Sequence, residues 1–234
     1  MNQTKPMAVR FDAVLLDIDG TLVDSNGAHA AAWSDAFAAH GRHHSPEQIR
    51  PLIGKGGDKL LPEITGISTE DPEGQRISKR RKEIFDERYL ATIVPFPQVR
   101  ELLERMQGAG LRLAVATSAE KEQLEPLLGI AGVNDLLEDK TSSSDAENSK
   151  PDPDIVQAAL RKLRVPPGDA VMLGDTPYDV EAAARAGIKT IALRSGGWND
   201  EDLSAAVAIY DDPADLLRSF DGSPLCERGS LSNR

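Results

Sequence analysis

The chain has 234 residues, of which 40% are hydrophobic and 28% charged, and its formal net charge is -11 at pH 7. This composition is typical of a soluble globular protein with one good-sized core, or with one core and a smaller inserted unit. The acidic balance argues against nucleic acid as a partner, because a polyanion attracts proteins of the opposite charge.

No segment of the sequence is typical of a membrane protein. A spanning helix needs roughly 18 continuous apolar residues, and no run approaches that length. The N-terminal MNQTKPMAVR lacks the apolar stretch of a signal peptide, and the single cysteine, Cys226, allows no intrachain disulfide. We therefore expect a cytoplasmic protein with no membrane partner, and a monomer or weak dimer by default.

Two carboxylates follow the first apolar run of the chain. The apolar residues AVLL predict a buried strand over 13–17 that ends at Asp17, with Asp19 and Gly20 following. Alternation along an extended chain places Asp17 and Asp19 on one side, where they repel each other unless a cation or a shared proton intervenes. An ordinary strand-to-turn junction has the same appearance, so the pair alone does not decide between the two interpretations.

The next block, residues 25–92, predicts helices and no strand. The helices are expected at 27–40, 46–53, 57–65 and 72–90, with Asn26 as the N-cap of the first. Two features stand out in this block. The loop Gly54-Lys55-Gly56-Gly57 lets the backbone approach an anionic ligand, although a plain turn also explains it. The run 79–82 (KRRK), followed by acidic residues, predicts a solvated helix face.

From Pro95 onward, strands and helices alternate. The predicted strands are 111–116, 170–173, 189–193 and 206–210, and the predicted helices are 99–106, 119–128, 153–163 and 177–186. This order predicts an α/β fold: a Rossmann-like parallel sheet with helices on both faces. The catalytic core then comprises 1–24 and 93–220, with 25–92 as an inserted all-helical cap. Residues 221–234 lack periodicity and predict a flexible tail.

Polar side chains follow the second apolar strand and precede a later helix. Thr117 and Ser118 end the strand LRLAVA, and Lys150 comes just before the helix at 153–163. Hydroxyls and free helix N–H groups bind phosphate oxygens. Thr117 with Glu120 also forms a capping box in sequence, and an isolated lysine usually has a solvated surface role, so each signal has a structural alternative.

The strand at 170–173 ends in a second acidic pair. Asp175 follows the strand, and Asp179 falls in the first turn of the next helix, where a carboxylate stabilises the helix dipole. Asp175 has no such structural explanation. In open parallel sheets the ligand binds outside the carboxyl ends of the strands, which is where Asp17, Asp19 and Asp175 are predicted to meet. Three carboxylates with room for water suit Mg²⁺, and Lys150 would offset their charge.

The motifs described above, in their order along the chain, resemble those of a known superfamily. DIDGT at 17–21, a hydroxyl at Thr117 after an apolar strand, Lys150, and GDTPYD at 174–179 resemble the four motifs of the haloacid dehalogenase-like hydrolase superfamily. The helical insertion after the first motif is similar to the cap of its phosphoglycolate phosphatase and beta-phosphoglucomutase-like branch. The resemblance spans about residues 11–218. It implies a Mg²⁺-dependent phosphatase acting on a small phosphorylated metabolite.

The resemblance also implies roles for the acidic residues. Asp17 would attack phosphorus and form an aspartyl phosphate. Asp19 would protonate the leaving oxygen and then deprotonate the attacking water. The metal would be held by Asp17, the Asp19 backbone carbonyl and Asp175, with Asp179 orienting these groups.

Substrate contacts are predicted at five positions in the core and the cap. Thr117, Ser118 and Lys150 would bind phosphoryl oxygens, with Thr117 and Lys150 contributing to catalysis by spreading the developing charge. In the cap, His29 and Lys55 are the predicted substrate contacts, and for Lys55 the glycine-rich loop itself, not the resemblance, predicts contact with an anionic substrate. His29 resembles a histidine at the hinge of the cap branch, although a solvent-facing helix position is the expectation from its surroundings.

Other functions remain open at this point. A sugar phosphomutase of the same cap branch would use the same aspartyl phosphate but return the phosphoryl group to its substrate. Thr21 and the GDTPYD form resemble the phosphatases more closely. Dehalogenases and phosphonatases of the superfamily lack the second acid, so Asp19 argues against both. A non-catalytic member is expected to have lost a motif residue, and this chain retains them all.

Overall fold

Six parallel strands form the central sheet of this protein, whose computed structural model describes residues 10–226. The strands are β1 Ala13–Leu16, β2 Arg112–Ala116, β3 Asp139–Thr141, β4 Ala170–Gly174, β5 Lys189–Leu193 and β6 Ala208–Tyr210. Their order across the sheet is β3-β2-β1-β4-β5-β6, so β1 lies between β2 and β4. Leu15 is in register with Ala114 on one side and Met172 on the other. The strand ends that carry the predicted motifs are therefore neighbours.

Helices cover both faces of this sheet. They are α1 Asn26–Ala39, α2 Pro46–Ile49, α3 Gly57–Thr65, α4 Pro72–Ile84, α5 Val99–Gly108, α6 Lys121–Ala131, α7 Asp154–Leu163, α8 Pro177–Arg185 and α9 Pro213–Arg218. Along β1, Ala13 and Leu15 pack with α7 and α8, whereas Val14 and Leu16 pack with α5, α6 and α9. This alternation follows from the two-residue period of a strand. Across residues 10–226, no helix has the length and apolar character needed to cross a bilayer.

The helices α1 to α4 form the cap inserted after β1. A π-helical turn, Phe85–Tyr89, continues α4. Trp33 and Phe37 are buried, as expected for residues of the cap interior, and their apolar cluster is continuous with that of the core. The fold prediction is confirmed: an α/β parallel sheet with helices on both faces and an inserted helical cap.

Two short segments connect the cap to the sheet and run side by side. The backbone N–H of Asp24 donates to the carbonyl of Val94 at 2.9 Å, and that of Phe96 donates to the carbonyl of Leu22 at 3.0 Å. These hydrogen bonds lie close to the predicted boundaries at 24/25 and 92/93, which stay a prediction. The segment that leads into the cap, a few residues after Asp19, is thus hydrogen-bonded to the segment that leads out of it.

Local details differ from the sequence prediction. The strand β3 was not predicted, because Asp139 and Lys140 give its three residues no apolar run. Asn26 was predicted as the N-cap of α1, but it is the first helical residue and Ser25 occupies the cap position. The side chain of Asn26 instead donates to Asp175 Oδ2 at 3.0 Å. A tertiary hydrogen bond therefore replaces the expected local one.

The prediction of a flexible tail over 221–234 is wrong for residues 221–226. A 3₁₀ turn spans Phe220–Gly222, and the side chains of Leu225 and Cys226 are buried in the main apolar cluster. The backbone N–H of Arg10 also donates to the carbonyl of Leu225 at 3.0 Å. Isolated apolar residues without periodicity give no helix or strand signal, yet they fill a gap in the core. Residues 227–234 lie outside the described residues.

Replacing Leu225 tests whether this segment belongs to the core. Leu225→Ala removes a fully buried side chain, so the free energy of unfolding should fall by about 2–5 kcal/mol in urea titrations. The control is Val207→Ala at a side chain that is 43% exposed, which should change it by less than about 0.5 kcal/mol. Equal small effects for both variants would show that the segment does not pack as described.

Candidate active site

Three carboxylates meet at the carboxyl ends of β1 and β4. Asp17, Asp175 and Asp179 are buried, and each offers a carboxylate oxygen within 4.8 Å of the others. Asp17 directly follows β1, Asp175 directly follows β4, and Asp179 lies in the first turn of α8. Because β1 and β4 are paired in register, neighbouring strands place these acids side by side. The structure thus brings together the acids predicted from the two motifs.

Lys150 lies between two of these acids. Its Nζ donates to Asp17 Oδ1 and to Asp179 Oδ1, both at 2.7 Å, and its side chain is only 1% exposed. A buried ammonium at this separation from two carboxylates stabilises their charged forms and is stabilised by them. Lys150 is therefore part of the acidic cluster, and the solvated surface alternative is excluded.

The protonation of the cluster reflects burial and mutual repulsion. Burial raises the pKa of Asp17 to about 7 against the opposing effect of Lys150. Burial also raises the pKa of Asp175 well above its usual value, with further increases from the charges of Asp179 and Asp17. For Lys150, burial lowers the pKa, but the charges of Asp17 and Asp179 outweigh it and the net pKa is raised. Three carboxylates and one ammonium therefore leave an excess of negative charge.

Hydrogen bonds hold Asp175 from two sides. Thr21 Oγ1 donates to its Oδ1 at 2.9 Å, and Asn26 Nδ2 donates to its Oδ2 at 3.0 Å. Gly20 and Gly196 pack so closely that a Cβ at either position would overlap the Asp175 carboxylate. Gly20 also has a φ of 77°, a left-handed conformation that favours glycine. The glycine after the second acid is thus required by close packing and by backbone geometry.

Asp179 is held almost entirely by its own helix start. Its Oδ2 accepts from the backbone N–H groups of Asp175 at 3.2 Å and Thr176 at 3.0 Å, and from Thr176 Oγ1 at 2.7 Å. Thr176 Oγ1 in turn accepts from the Asp179 N–H, which completes a capping box. Its Oδ1 accepts from Lys150, so Asp179 fixes this ammonium relative to the start of α8.

Asp19 lines the same cavity as Asp17 but has separate partners. Its Oδ1 accepts from Ser25 Oγ at 2.5 Å and from His29 Nε2 at 2.8 Å. Burial raises the pKa of Asp19, but its interactions with His29 and Ser25, together with the charge of Arg81, outweigh burial and the net pKa is lowered. The two acids that the sequence predicted on one side are therefore held in different environments.

The expectation that His29 faces solvent is wrong. The side chain is buried, and its ring stacks on Phe85 with centroids 4.3 Å apart. Its Nδ1 lies 2.8 Å from Arg81 Nη2. A guanidinium can only donate, so His29 Nδ1 accepts and its Nε2 carries the proton that is donated to Asp19. His29 thus contacts the predicted acid.

Arg81 corrects the prediction that 79–82 is a solvated helix face. Its guanidinium lies over the rings of Trp33 at 5.5 Å and Phe85 at 5.4 Å, and it lines the cavity. The neighbouring Lys82 is closer to the prediction, because it pairs with Glu122 near the surface at 3.3 Å. A run of four basic residues on a helix necessarily has one member on the inner face, but charge alone does not identify it.

The hydroxyl pair after β2 also reaches the cavity. Thr117 does not form a capping box with Glu120, because α6 begins at Lys121 and Glu120 is its N-cap. Instead Thr117 Oγ1 accepts from the N–H of Ala119 at 3.1 Å, which leaves its own proton available. Ser118 Oγ is buried without a partner among residues 10–226. Both hydroxyls line the cavity and can donate to a ligand.

The glycine-rich cap loop 54–57 forms another wall of this cavity. A Cβ at Gly54 would overlap Thr176, and one at Gly56 would overlap Ser149, so the glycines permit close contact between cap and core. The ammonium of Lys55 pairs with Glu63 and lies 4.8 Å above the ring of Tyr178. The loop is therefore at the site, while the Lys55 charge is engaged within the protein.

The acidic cluster has the chemistry of a divalent metal site. All three side chains offer hard oxygen donors. Asp179 Oδ2 accepts three hydrogen bonds, whereas each Asp175 oxygen accepts one and so retains a lone pair for a metal. The three carboxylates exceed the single ammonium of Lys150 by two negative charges when all are ionised. A hard dication bound at Asp17 and Asp175 balances this excess. The residues therefore fit a divalent metal.

Comparison with known proteins assigns the family. The profile described as haloacid dehalogenase-like hydrolase matches residues 14–193, from β1 to the end of β5. The chain belongs to the haloacid dehalogenase-like hydrolases. The resemblance seen in the motifs at 17–21 and 174–179 is thereby confirmed. Members of this family generally use a divalent metal, which agrees with the buried acidic cluster.

Relatives in this hydrolase family place the chain among phosphatases. It is 30% identical over 223 residues to an N-acetylmuramic acid 6-phosphate phosphatase of Pseudomonas aeruginosa, covering 94% of this chain and 98% of the relative. It is 31% identical to a phosphoglycolate phosphatase of Nitrosospira multiformis, covering 79% and 83%. The crystal structure of a hydrolase from Pseudomonas syringae, 29% identical, superposes with a TM-score of 0.84 over 90% of this chain and 98% of that one. The protein is accordingly an enzyme of the phosphatase type.

The close packing of Gly196 on Asp175 gives a test of the metal site. Gly196→Ala inserts a methyl group where the Asp175 carboxylate lies, so divalent-metal affinity should fall by about 10–100-fold in calorimetric titration. The matched control is Gly129→Ala in α6, where an added Cβ meets no atom of residues 10–226 within 4 Å, and the metal affinity of this variant should match that of the unsubstituted protein. Unchanged affinity in the Gly196 variant would refute the placement of Asp175 at the metal.

Proposed function

We propose that this protein is a Mg²⁺-dependent phosphatase that hydrolyses a small phosphorylated metabolite through an aspartyl-phosphate intermediate. The observation that carries this proposal is the asymmetric support of Asp17. Lys150 holds its Oδ1 at 2.7 Å, and the carboxylate lines the cavity beside a cluster that fits a metal. A carboxylate fixed through one oxygen presents the other for attack on phosphorus.

Asp17 is the proposed nucleophile. Its pKa of about 7 reflects burial among like charges, and charge neutralisation by a bound dication favours the ionised form that attacks. Lys150 keeps its proton and orients the carboxylate throughout. The phosphorus–oxygen bond to Asp17 forms as the bond to the leaving oxygen breaks, and water later displaces Asp17 from phosphorus.

Asp19 is the proposed acid and base. The interactions with Ser25 and His29 favour its ionised form, which is the form that accepts a proton from the attacking water. In the first step Asp19 must carry a proton for the leaving oxygen. A phosphoryl group brought beside it adds negative charge, which favours that protonated form. His29 is proposed to orient this acid through Nε2.

Donors at the second strand and Lys150 are proposed to bind the phosphoryl group. Thr117 and Ser118 have hydroxyl protons available, and Lys150 supplies positive charge at the same place. Such donors stabilise the charge that develops on the equatorial oxygens. Mg²⁺ would be held by Asp17, the Asp19 carbonyl and Asp175, with Asp179 orienting them, and when bound it supplies charge neutralisation at the phosphoryl oxygens.

Contacts of the cap with substrate remain proposals from the sequence. Lys55 is placed at the cavity wall, and its pairing with Glu63 means that it would act on an anionic substrate only after exchanging partners. A cytoplasmic location and a monomeric or weakly dimeric state also stay predictions.

The second candidate is a sugar phosphomutase with the same intermediate. Thr21, whose hydroxyl binds Asp175, and the GDTPYD segment resemble the phosphatases, and the relatives reported above are named phosphatases. Incubation with a hexose 1-phosphate and its bisphosphate separates the two. We expect inorganic phosphate without hexose 6-phosphate. Accumulation of the 6-phosphate would replace the phosphatase by the mutase.

Substitution of the nucleophile is the direct test. Asp17→Asn keeps the size of the side chain but removes its nucleophilic charge, so phosphate release with Mg²⁺ should fall by about 10³-fold or more. The control Asp24→Asn makes the same change at an exposed residue of the same segment and should retain activity. Full activity of the Asp17 variant would make the assignment wrong.

Metal dependence is tested separately. Chelation with EDTA followed by gel filtration should abolish phosphate release, because Asp17 and Asp175 would then face the phosphoryl group without charge neutralisation. Added Mg²⁺ should restore the rate, and Ca²⁺, with its longer bonds and looser coordination, should restore less. Undiminished turnover in the chelated protein would contradict a metal-dependent mechanism.

A further inference from the structure

One buried amide at the cavity, that of Gln123, has a nitrogen without a partner in the described part of the chain. Gln123 lies in the first turn of α6, is 3% exposed, and lines the same cavity as Asp19 and Trp33. Its Oε1 accepts from Arg81 Nη1 at 3.1 Å. Its Nε2 has no hydrogen-bond partner among the described residues 10–226. A buried donor without an acceptor is costly, so its presence calls for an explanation.

The orientation of this amide is fixed by chemistry. A guanidinium has donors and no acceptor, so the atom of Gln123 that faces Arg81 must be the oxygen. Arg81 is itself held by His29 Nδ1 at 2.8 Å and by the rings of Trp33 and Phe85. Because Arg81 cannot rotate away without losing these contacts, the NH₂ group of Gln123 remains directed away from it.

The position of the amide relative to the proposed chemistry indicates what it binds. The proposed phosphoryl contacts are Thr117, Ser118 and Lys150 beside the nucleophile Asp17, whereas the leaving oxygen must lie beside Asp19. Gln123 connects to Asp19 through Arg81 and His29, which places its amide on the acid's side of the cavity. A second donor on this cavity, Arg81 Nε, also lacks a partner within residues 10–226. This wall therefore offers hydrogen-bond donors to the leaving group.

We propose that Gln123 is a specificity-determining residue that donates from Nε2 to an oxygen of the leaving group. The substrate class is a small phosphoester whose leaving group carries a hydroxyl, ether, carbonyl or carboxylate oxygen. An alkyl leaving group of the same size leaves the buried donor unpaired and is rejected. This inference rests on the proposed phosphatase function.

Matched esters measure the preference in the unsubstituted enzyme. Each n-alkyl phosphate with a chain of four to six atoms is compared with ethers of the same chain length. In each ether, one oxygen replaces one methylene beyond the first two carbons. An ether can only accept, so it isolates a donor on the protein. We expect at least one ether to exceed its alkyl partner by roughly tenfold or more in kcat/KM with Mg²⁺.

Two substitutions assign that preference to the amide. Gln123→Leu removes the donor and the contact with Arg81. Gln123→Glu retains an acceptor for Arg81 Nη1 and removes only the donor. Both should reduce the ether-to-alkyl ratio of kcat/KM to about one. The control Gln107→Leu makes the same change at an exposed residue of α5, whose Nε2 donates to the Leu136 carbonyl, and should keep the full ratio.

The outcomes separate this inference from the proposed function. Hydrolysis of all the esters without an ether preference overturns the role of Gln123 and leaves the phosphatase intact. An ether preference that persists in both Gln123 variants also overturns the role of Gln123. An ether preference that is lost in Gln123→Leu but kept in Gln123→Glu overturns it too, because Gln123 would then act only by positioning Arg81. Absence of phosphate release from any ester by the unsubstituted enzyme with Mg²⁺ refutes the phosphatase, and the specificity role with it.

Discussion

The contact of Lys150 with Asp17 and Asp179 is the interaction on which the rest of the site depends. Burying three carboxylates close together is unfavourable unless opposite charge accompanies them, and breaking such a group by removing one partner is costly. The ammonium compensates part of the charge and fixes the direction of Asp17. The remaining excess of negative charge makes the cluster receptive to a dication. The free energy for holding these ions in place comes from the apolar clusters on both faces of the sheet.

The second acid depends on the cap. Asp17 is positioned by β1 and by core residues, whereas Asp19 is held by Ser25 and His29, which lie at and within the start of α1. His29 is in turn held by Arg81 from α4. The sheet therefore positions the proposed nucleophile, and the cap positions the proposed acid. Any displacement of α1 changes the hydrogen bonds of Asp19, which couples the seating of the cap directly to proton transfer.

The sequence predicted the features that depend on chain order and missed those that depend on tertiary packing. Parallel strands end at one edge, so acids at 17, 19 and 175 could be placed together from strand spacing alone. Arg81 could not, because a basic run beside acidic residues is usually solvated, and only its packing against two aromatic rings separates it from its neighbours. Gln123 was not assigned from the sequence, and the buried position of His29 was not predicted, since the Arg81 that contacts both lies 42 and 52 positions away.

This division has a physical basis in the reaction. The phosphoryl group is the same in every substrate, and the contacts proposed for it lie at strand ends and just before α7, positions that the order of strands and helices predicts. The leaving group differs between substrates, and the contacts proposed for it come from side chains on α1, α4 and α6 that meet only after the cap has packed on the core. Relatives of nearly equal identity, 30% and 31%, carry names with different substrates, as expected if such contacts change independently of the motifs. Under the proposed assignment, substrate choice is therefore encoded in the interface between cap and core, where Arg81 orders the Gln123 amide.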